Sequence, residues 1–395
     1  MSSTKCIVIP KPRILVFVDW YLPGYKAGGP IRSVAALVQS LREHYSFSIV
    51  TSDTDATEST PYPGVTSDIW TTLPDGTRVY YCSKTGANPA ALAALIATED
   101  FDIAYFNSVF SIALSLRPLR LVRRLKPAAR LVLAPRGMLG AGALQIKPLR
   151  KKLFLAAARL AGWFRDIRWH VSSEQEAGEV RAVFGPDCEV CVAPNVSLPE
   201  LPGWQHRSKA SGEVGFYFLS RVSPKKNLFT ALRLLAKTDP GSRIRFDIYG
   251  PIDDAAYGAQ CLDALQQLPP HVAATYHGPL PPEAIRARLA GSHFLLLPTQ
   301  HENFGHVVLE AFAASCPVIL SDKTPWRNLT AQKLGWDLPL HDEAAWVEAI
   351  ATATEMDEET YRLWSAAAYA HAEAHAGSAA SLEANRRVFL DVQAR

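Results

Sequence analysis

Glu302 and Glu310 stand eight residues apart in ENFGHVVLE. The apolar run HFLLLP ends at Pro298, a polar loop follows, and a helical pattern starts near Gly305. Helix N-termini present free N–H groups, and ligands of parallel sheets bind beyond the carboxyl ends of the strands. Glu302 is therefore expected beside the amides of Asn303, Phe304 and Gly305. Glu310 falls five residues into the helix, roughly 7–8 Å further along its axis. Carboxylates so spaced can accept hydroxyls at two points of one extended, sugar-containing ligand. The plainer reading makes Glu302 a helix cap and Glu310 a surface residue.

The stretch FLSRVSPKKNL supplies cations. A strand ends near Leu219, Arg221 and Lys226 follow in the loop, and a helix begins near Asn227. Two cations and a helix N-terminus form a receptacle for a diphosphate; the alternative is a solvated basic turn. No GxxxxGK[ST] or GxGxxG occurs here. Upstream, WYLPGYKAGGPIRS places Gly28 and Gly29 between a first strand and a first helix, where a ligand can approach their amides closely. A tight turn without function explains them equally simply.

Other polar residues carry weaker signals. Arg136 in APRGML ends a strand of the first half and is expected to contact phosphate or acceptor, or to be a surface Arg. Glu174 and Glu176 in SSEQEAGE read as capping residues. His170, His301 and His306 read as ordinary polar or packing residues. Asp53-Thr-Asp55 and Asp100-Phe-Asp102 match a DxD pattern that is common by chance, and Cys188-x2-Cys191 has no second pair, so no metal is expected.

The elements that must position these residues alternate along the chain. Apolar strand-like runs fall at 13–20, 47–51, 78–82, 103–106, 130–134 and 189–193, with helical patterns at 31–44, 89–98, 148–161 and 173–184. The pattern breaks at 194–213, rich in proline and without helical period, then restarts. Strands are expected at 215–219, 245–249, 273–277, 293–298 and 317–321, and helices at 227–237, 255–268, 282–290 and 305–314. Continuously apolar strands imply parallel sheets covered on both faces. The expected organisation is an α/β chain of two Rossmann-like doubly wound domains facing a cleft, at 1–197 and 214–375, with a linker at 198–213 and a C-terminal helix at 376–395.

Together these stretches resemble the GT-B glycosyltransferases of family 4, nucleotide-sugar-dependent and retaining. YLPGYKAGGPIRS, APRGML, SRVSPKKNL and TPWRNL look most like bacterial members that build surface polysaccharides. The resemblance covers about residues 13–395. It implies that Gly28 and Gly29 lie near the donor phosphate and acceptor, and that Arg221 and Lys226 hold the diphosphate. Glu302 with the Asn303–Gly305 backbone would position the donor sugar, Glu310 would bind the ribose hydroxyls, and Val308 and Leu309 would lie near the nucleotide. No cofactor is implied beyond the nucleotide-sugar substrate. The family's usual Gly after the first Glu is Asn303 here, a residue that tolerates left-handed backbone. The usual Gly before Pro is replaced by Ser315-Cys316, which leaves the helix cap in question.

Composition sets the frame. With 48% hydrophobic and 20% charged residues, 23 glycines and 28 prolines, the chain is neither disordered nor fibrous, and six cysteines make no disulfide scaffold. No run reaches transmembrane length, and the N-terminus reads as a strand rather than a signal peptide, so a cytoplasmic location is expected. The net charge of +3 conceals an asymmetry. Residues 117–168 hold 14 Lys or Arg against one Asp, and residues 337–391 hold 11 acids against three Arg. In IKPLRKKLFLAAARLAGWF, Leu149, Leu153, Leu160 and Phe164 form a helical stripe beside basic residues, suited to an anionic inner-membrane surface; a solvated basic face is the alternative. A saccharide or polyprenyl-linked saccharide acceptor follows from the first reading, and nucleic acid is excluded because no groove-reading motif accompanies the charge. The rivals are a synthase- or phosphorylase-like enzyme with a soluble acceptor, and a catalytically silent nucleotide-sugar-binding module.

Overall fold

The computed structural model describes residues 10–144, 148–196, 201, 203–376 and 378–390. The chain divides into two compact units, one of residues 1–24, 33–196 and 379–395, the other of residues 25–32 and 197–378.

The first unit carries β1 Arg13–Phe17, β2 Ser46–Ser52, β3 Trp70–Thr72, β4 Arg78–Cys82, β5 Ile103–Asn107, β6 Arg130–Ala134, β7 Arg168–Val171 and β8 Val190–Val192. They form one sheet in the order β3-β4-β2-β1-β5-β6-β7-β8. All neighbours run parallel except the β3–β4 edge pair. Successive residues of β1 enter different cores: Ile14 and Val16 pack with Val34, Leu37 and Leu41 of the helix Gly29–Leu41. Leu15 and Phe17 pack with Leu92, Leu119 and Val122 on the other face. Burial on both faces is why these strands read as continuous apolar runs.

The expected helix at 89–98 forms as Pro89–Thr98, with the Asn88 side chain capping it. The pattern at 173–184 gives Glu174–Phe184, capped by Ser173. Five elements fall outside the ranges expected from the sequence: β3, a π-helical turn Ile112–Leu116, the helix Arg117–Leu125, the short helix Ala141–Leu144 and β7. A three-residue edge strand is too short for periodicity, and four arginines obscure the short Pro118, Leu119, Val122 stripe. The helix Pro148–Leu160 buries Leu155 and Ala158, whereas Leu149, Leu153 and Leu160 are 75%, 69% and 88% exposed. Phe164 is buried, which removes it from the expected outer stripe. The last helix, Ala379–Phe389, returns to this unit: Val388 and Phe389 enter its core, and Arg168 donates to the carbonyls of Val388 and Leu390.

The second unit carries β9 Glu213–Leu219, β10 Arg243–Tyr249, β11 Val272–Gly278, β12 Phe294–Leu297, β13 Val318–Ser321 and β14 Gly335–Leu338, all parallel in the order β11-β10-β9-β12-β13-β14. This is the doubly wound order, with its topological switch between β9 and β12. β14 has no counterpart in the sequence reading; its four residues alternate poorly, and only Gly335 is buried. The segment 203–212 has neither helix nor strand, yet it is fixed to this unit. Lys209 donates to the Ala210, Thr354 and Met356 carbonyls, and burial pulls its ammonium pKa down to about 8. No helix among the described residues is long and apolar enough to cross a membrane.

Candidate functional site

The switch point brings together the loops that follow β9 and β12. Asn227, left-handed at φ 60, precedes the helix Leu228–Leu235 without a side-chain bond to its amides and donates Nδ2 to the Pro298 carbonyl at 3.0 Å. The Lys225 carbonyl accepts from the Gln300 amide at 2.8 Å and from Thr299 Oγ1 at 3.1 Å. These bonds hold the Lys225–Lys226 and Thr299–Glu302 segments in fixed register. Gly250, after β10, lies so near the first loop that a Cβ there would stand 1.8 Å from the Ser220 carbonyl oxygen.

Within this frame the Lys226 ammonium donates to Glu302 Oε2, and both side chains are largely enclosed. Burial alone would raise the Glu302 pKa; Lys226 and Lys225 outweigh it and hold the carboxyl below its ordinary value. Arg221 pairs with Asp253 at 2.8 Å, where both groups meet solvent. Each expected cation therefore has a carboxylate partner, and Asp253, unremarked in the sequence, is one of them. An ammonium and a carboxylate side by side can receive a phosphate oxygen and a sugar hydroxyl respectively, exchanging one polar partner for another.

Past Glu302, the positive-φ position is Gly305 at φ 79 rather than Asn303, which corrects the expectation that Asn303 takes up a left-handed role. A Cβ on Gly305 would crowd Glu302 Cγ, Val308 Cγ2 and Trp326 Nε1 at 3.1–3.3 Å. Trp326 Nε1 donates to the Phe304 carbonyl at 2.7 Å and fixes the loop from outside. The helix His306–Ala313 follows. Val308 and Leu309, expected near the nucleotide, put their side chains into the hydrophobic core. The helix ends on Ser315 at φ 58, a left-handed cap without glycine; its carbonyl accepts from Ser365 Oγ at 2.9 Å and from Arg207 Nη1 at 3.3 Å.

Residues 25–32 group with this unit. Gly28 is left-handed at φ 69 with open space where a Cβ would stand, and a Cβ on Gly29 would touch His306 at 3.8 Å. Three residues on, the Arg32 guanidinium pairs with Glu310 Oε1, while Glu310 Oε2 is buried without a hydrogen-bond partner. Burial lowers the Arg32 pKa to about 10. Spacing could not have paired Arg32 with a residue 278 positions away.

Arg136 is placed in the first unit, after β6, at φ 55. It donates to Asn107 Oδ1 through Nε at 3.1 Å and Nη2 at 2.9 Å, to Tyr105 Oη at 2.8 Å, and to Asn195 Oδ1. Tyr105 Oη lies 2.8 Å from His170 Nδ1, and His170 Nε2 lies 3.2 Å from the Ala193 carbonyl. Because a carbonyl only accepts, the proton sits on Nε2 and Tyr105 donates to Nδ1. Burial and the Arg136 charge lower the His170 pKa to about 3. Glu176 is a buried clasp as well as a first-turn acid, accepting from the amides of Gly137 and Ser172 and from Ser172 Oγ. Asp53 accepts from Ser67 Oγ at 2.7 Å, and Asp100 and Asp102 both meet Arg13. Cys188 and Cys191 are free thiols.

Residues 205–371 match the family model described as Glycosyl transferases group 1. A D-inositol 3-phosphate glycosyltransferase of Nocardia farcinica is 27% identical over 221 residues, 52% of this chain and 48% of that one, so the match spans about half the relative's length. Two solved structures superpose over nearly all of the chain. Sucrose-phosphate synthase from Thermosynechococcus elongatus gives a TM-score of 0.69 at 16% identity, covering 96% of this chain and 98% of that one. HepE of Anabaena, in complex with UDP and glucose, gives 0.65 at 13% identity, covering 95% and 98%. The fold is GT-B: two Rossmann-like units and a helical C-terminal segment.

Proposed function

We propose, from a second unit whose residues 205–371 match the Glycosyl transferases group 1 model, that this chain moves a sugar from a nucleotide-sugar donor to a saccharide or lipid-linked saccharide acceptor with retention of anomeric configuration. The observation that carries the reading is the enclosed Lys226–Glu302 pair at the switch point of the second sheet, beside the N-terminus of the helix His306–Ala313. Lys226 and Arg221 take up charge on the departing diphosphate, and catalysis is mainly electrostatic. Glu302, with the Asn303–Gly305 backbone, holds the donor sugar. Glu310 receives the ribose hydroxyls. With two cations at the diphosphate the transfer proceeds without metal, so a chelator leaves turnover unchanged. The UDP and glucose named with HepE support a donor of this class.

The acceptor is assigned from the first unit. Leu149, Leu153 and Leu160 project from a helix that also carries Arg150, Lys152 and Arg159, an apolar and basic surface suited to an anionic bilayer, while Lys151 turns inward to the Ala143 carbonyl. A peripheral enzyme at an inner membrane, acting in surface-polysaccharide synthesis, fits that face. The name sucrose-phosphate synthase keeps a soluble sugar phosphate as the competing acceptor. A thermal-shift panel of UDP-, GDP-, ADP- and TDP-sugars tests the donor, and a ligand at 100 times its Kd stabilises the fold by about 2.7 kcal/mol. The absence of a shift with every donor overturns the reading. Nucleotide release with sugar phosphates, and its absence with lipid-linked saccharides, moves the acceptor to the soluble class.

A further inference from the structure

The carboxylate assigned above to the ribose already has a partner. Arg32, in the first turn of the helix Gly29–Leu41, takes Glu310 Oε1. Both side chains are mostly enclosed, at 28% and 20% exposure. Glu310 Oε2 is buried and accepts from nothing. A buried acceptor without a donor is costly, and it is satisfied when a ligand hydroxyl reaches it. Native proteins leave few such groups, and those they leave call for a specific explanation.

We infer that Arg32 is a positioning residue for donor binding: it fixes Glu310 through Oε1 so that Oε2 faces the ribose diol of the nucleotide. The inference rests on the reading of Glu310 as the ribose acceptor. A free glutamate side chain has three rotatable bonds, and a planar guanidinium on one oxygen restricts where the other points. The same contact ties the Gly28–Gly29 segment to the helix His306–Ala313, beside the approach of Gly29 to His306. Arg32 thus sets both the acceptor atom and the glycine backbone next to it. A lysine at position 32 retains the charge and loses the planar fork.

The test compares nucleoside diphosphates with their 2′,3′-dideoxy forms. Kd is measured by calorimetry for UDP, GDP and ADP, and the tightest is paired with its dideoxy analogue on wild type, Arg32→Ala, Arg32→Lys and Glu310→Gln. Wild type is expected to prefer the ribo form by about a hundredfold, because a site built for hydroxyls rejects ligands lacking them. In Arg32→Ala the preference falls to within about threefold, with the dideoxy Kd unchanged, and Arg32→Lys falls between. Arg32→Ala combined with Glu310→Gln binds no worse than Glu310→Gln alone. Unchanged dideoxy binding also shows that the variant folds. Equal weakening of both ligands by Arg32→Ala, or tighter ribo binding, overturns the inference. If Glu310→Gln keeps the full ribose preference, the ribose assignment itself fails. If Glu310→Gln loses the preference and Arg32→Ala keeps it, only the role of Arg32 fails.

Discussion

Both units end their parallel strands in polar loops, but they treat the polar side chains there in opposite ways. In the first unit Arg136, Asn107, Asn195, Tyr105 and His170 hydrogen-bond one another, and Glu176 closes on backbone amides. In the second unit the charges stand in pairs: Lys226 with Glu302, Arg221 with Asp253, and Arg32 with Glu310, whose second oxygen is unpartnered. A network with its donors committed rigidifies its loops. A charge held by one oppositely charged side chain can trade that partner for a ligand group, whether the pair is enclosed or at the surface. Exchangeable charge pairs, rather than switch-point geometry alone, set the second unit apart.

The sharpest way to break this contrast is to remove charge from the second unit. Arg221→Ala with Lys226→Ala should lower turnover by about a thousandfold or more, since one lost donor to developing charge typically costs 10²–10³. Near-normal nucleotide release in the double variant removes these residues from the chemistry. The matching change in the first unit is Glu176→Ala, which strands the amides of Gly137 and Ser172. We expect a loss of about 2 kcal/mol in urea unfolding, with donor Kd unchanged. A large loss of donor affinity at constant stability would erase the distinction between the units.

Acid separates them more gently. Folded His170 takes a proton only near pH 3, against an ordinary value of 6.5. Between those values the unfolded chain binds the extra proton, so stability falls as pH drops from 6.5 towards 3. The slope is about 1.4 kcal/mol per pH unit for one such group. His293 in the second unit, lowered to about 4 by burial, adds to it above pH 4. His170→Gln should flatten the slope by its own share while leaving that of His293. An unchanged slope would mean that the Arg136–Tyr105–His170 chain opens in solution.

How much of this was legible depends on what each feature is made of. Strands buried on both faces announce themselves: Phe294–Leu297 is four fully buried apolar residues, and β1 feeds two cores. Short edge elements such as Trp70–Thr72 and Gly335–Leu338 owe their existence to a neighbouring strand and leave no periodic trace. Among site residues, Lys226 and Glu302 were visible because each follows an apolar strand. Asp253 and Arg32 were not, because an ion pair across the sequence has no spacing. Arg136 drew notice for its place after a strand, and its role emerged only with Asn107, Tyr105 and Asn195 around it. Val308 and Leu309, which the resemblance places near the nucleotide, send their side chains into the core, as inward positions on a helix beside a sheet do.

The smallest expected effect on stability separates the outer surfaces. The first unit exposes Leu149, Leu153, Leu160 and Ile112 by 66% or more, whereas the most exposed large aliphatic side chain among the described residues of the second unit is Leu363 at 46%. Exposed leucines bury little on folding, so Leu149→Ser, Leu153→Ser and Leu160→Ser together should change unfolding free energy by only about 0.5 kcal/mol each. Their loss should nevertheless abolish cosedimentation with vesicles containing anionic phospholipid, because each removes apolar area that the bilayer would cover. The basic residues beside them make the wild-type association weaken as salt is raised. Leu363→Ser serves as the control and should leave vesicle binding unchanged. If the triple variant sediments like wild type, the exposed leucines do not enter a bilayer; if wild type fails to bind at low salt, the basic face is a solvated surface and the acceptor is reached from solution.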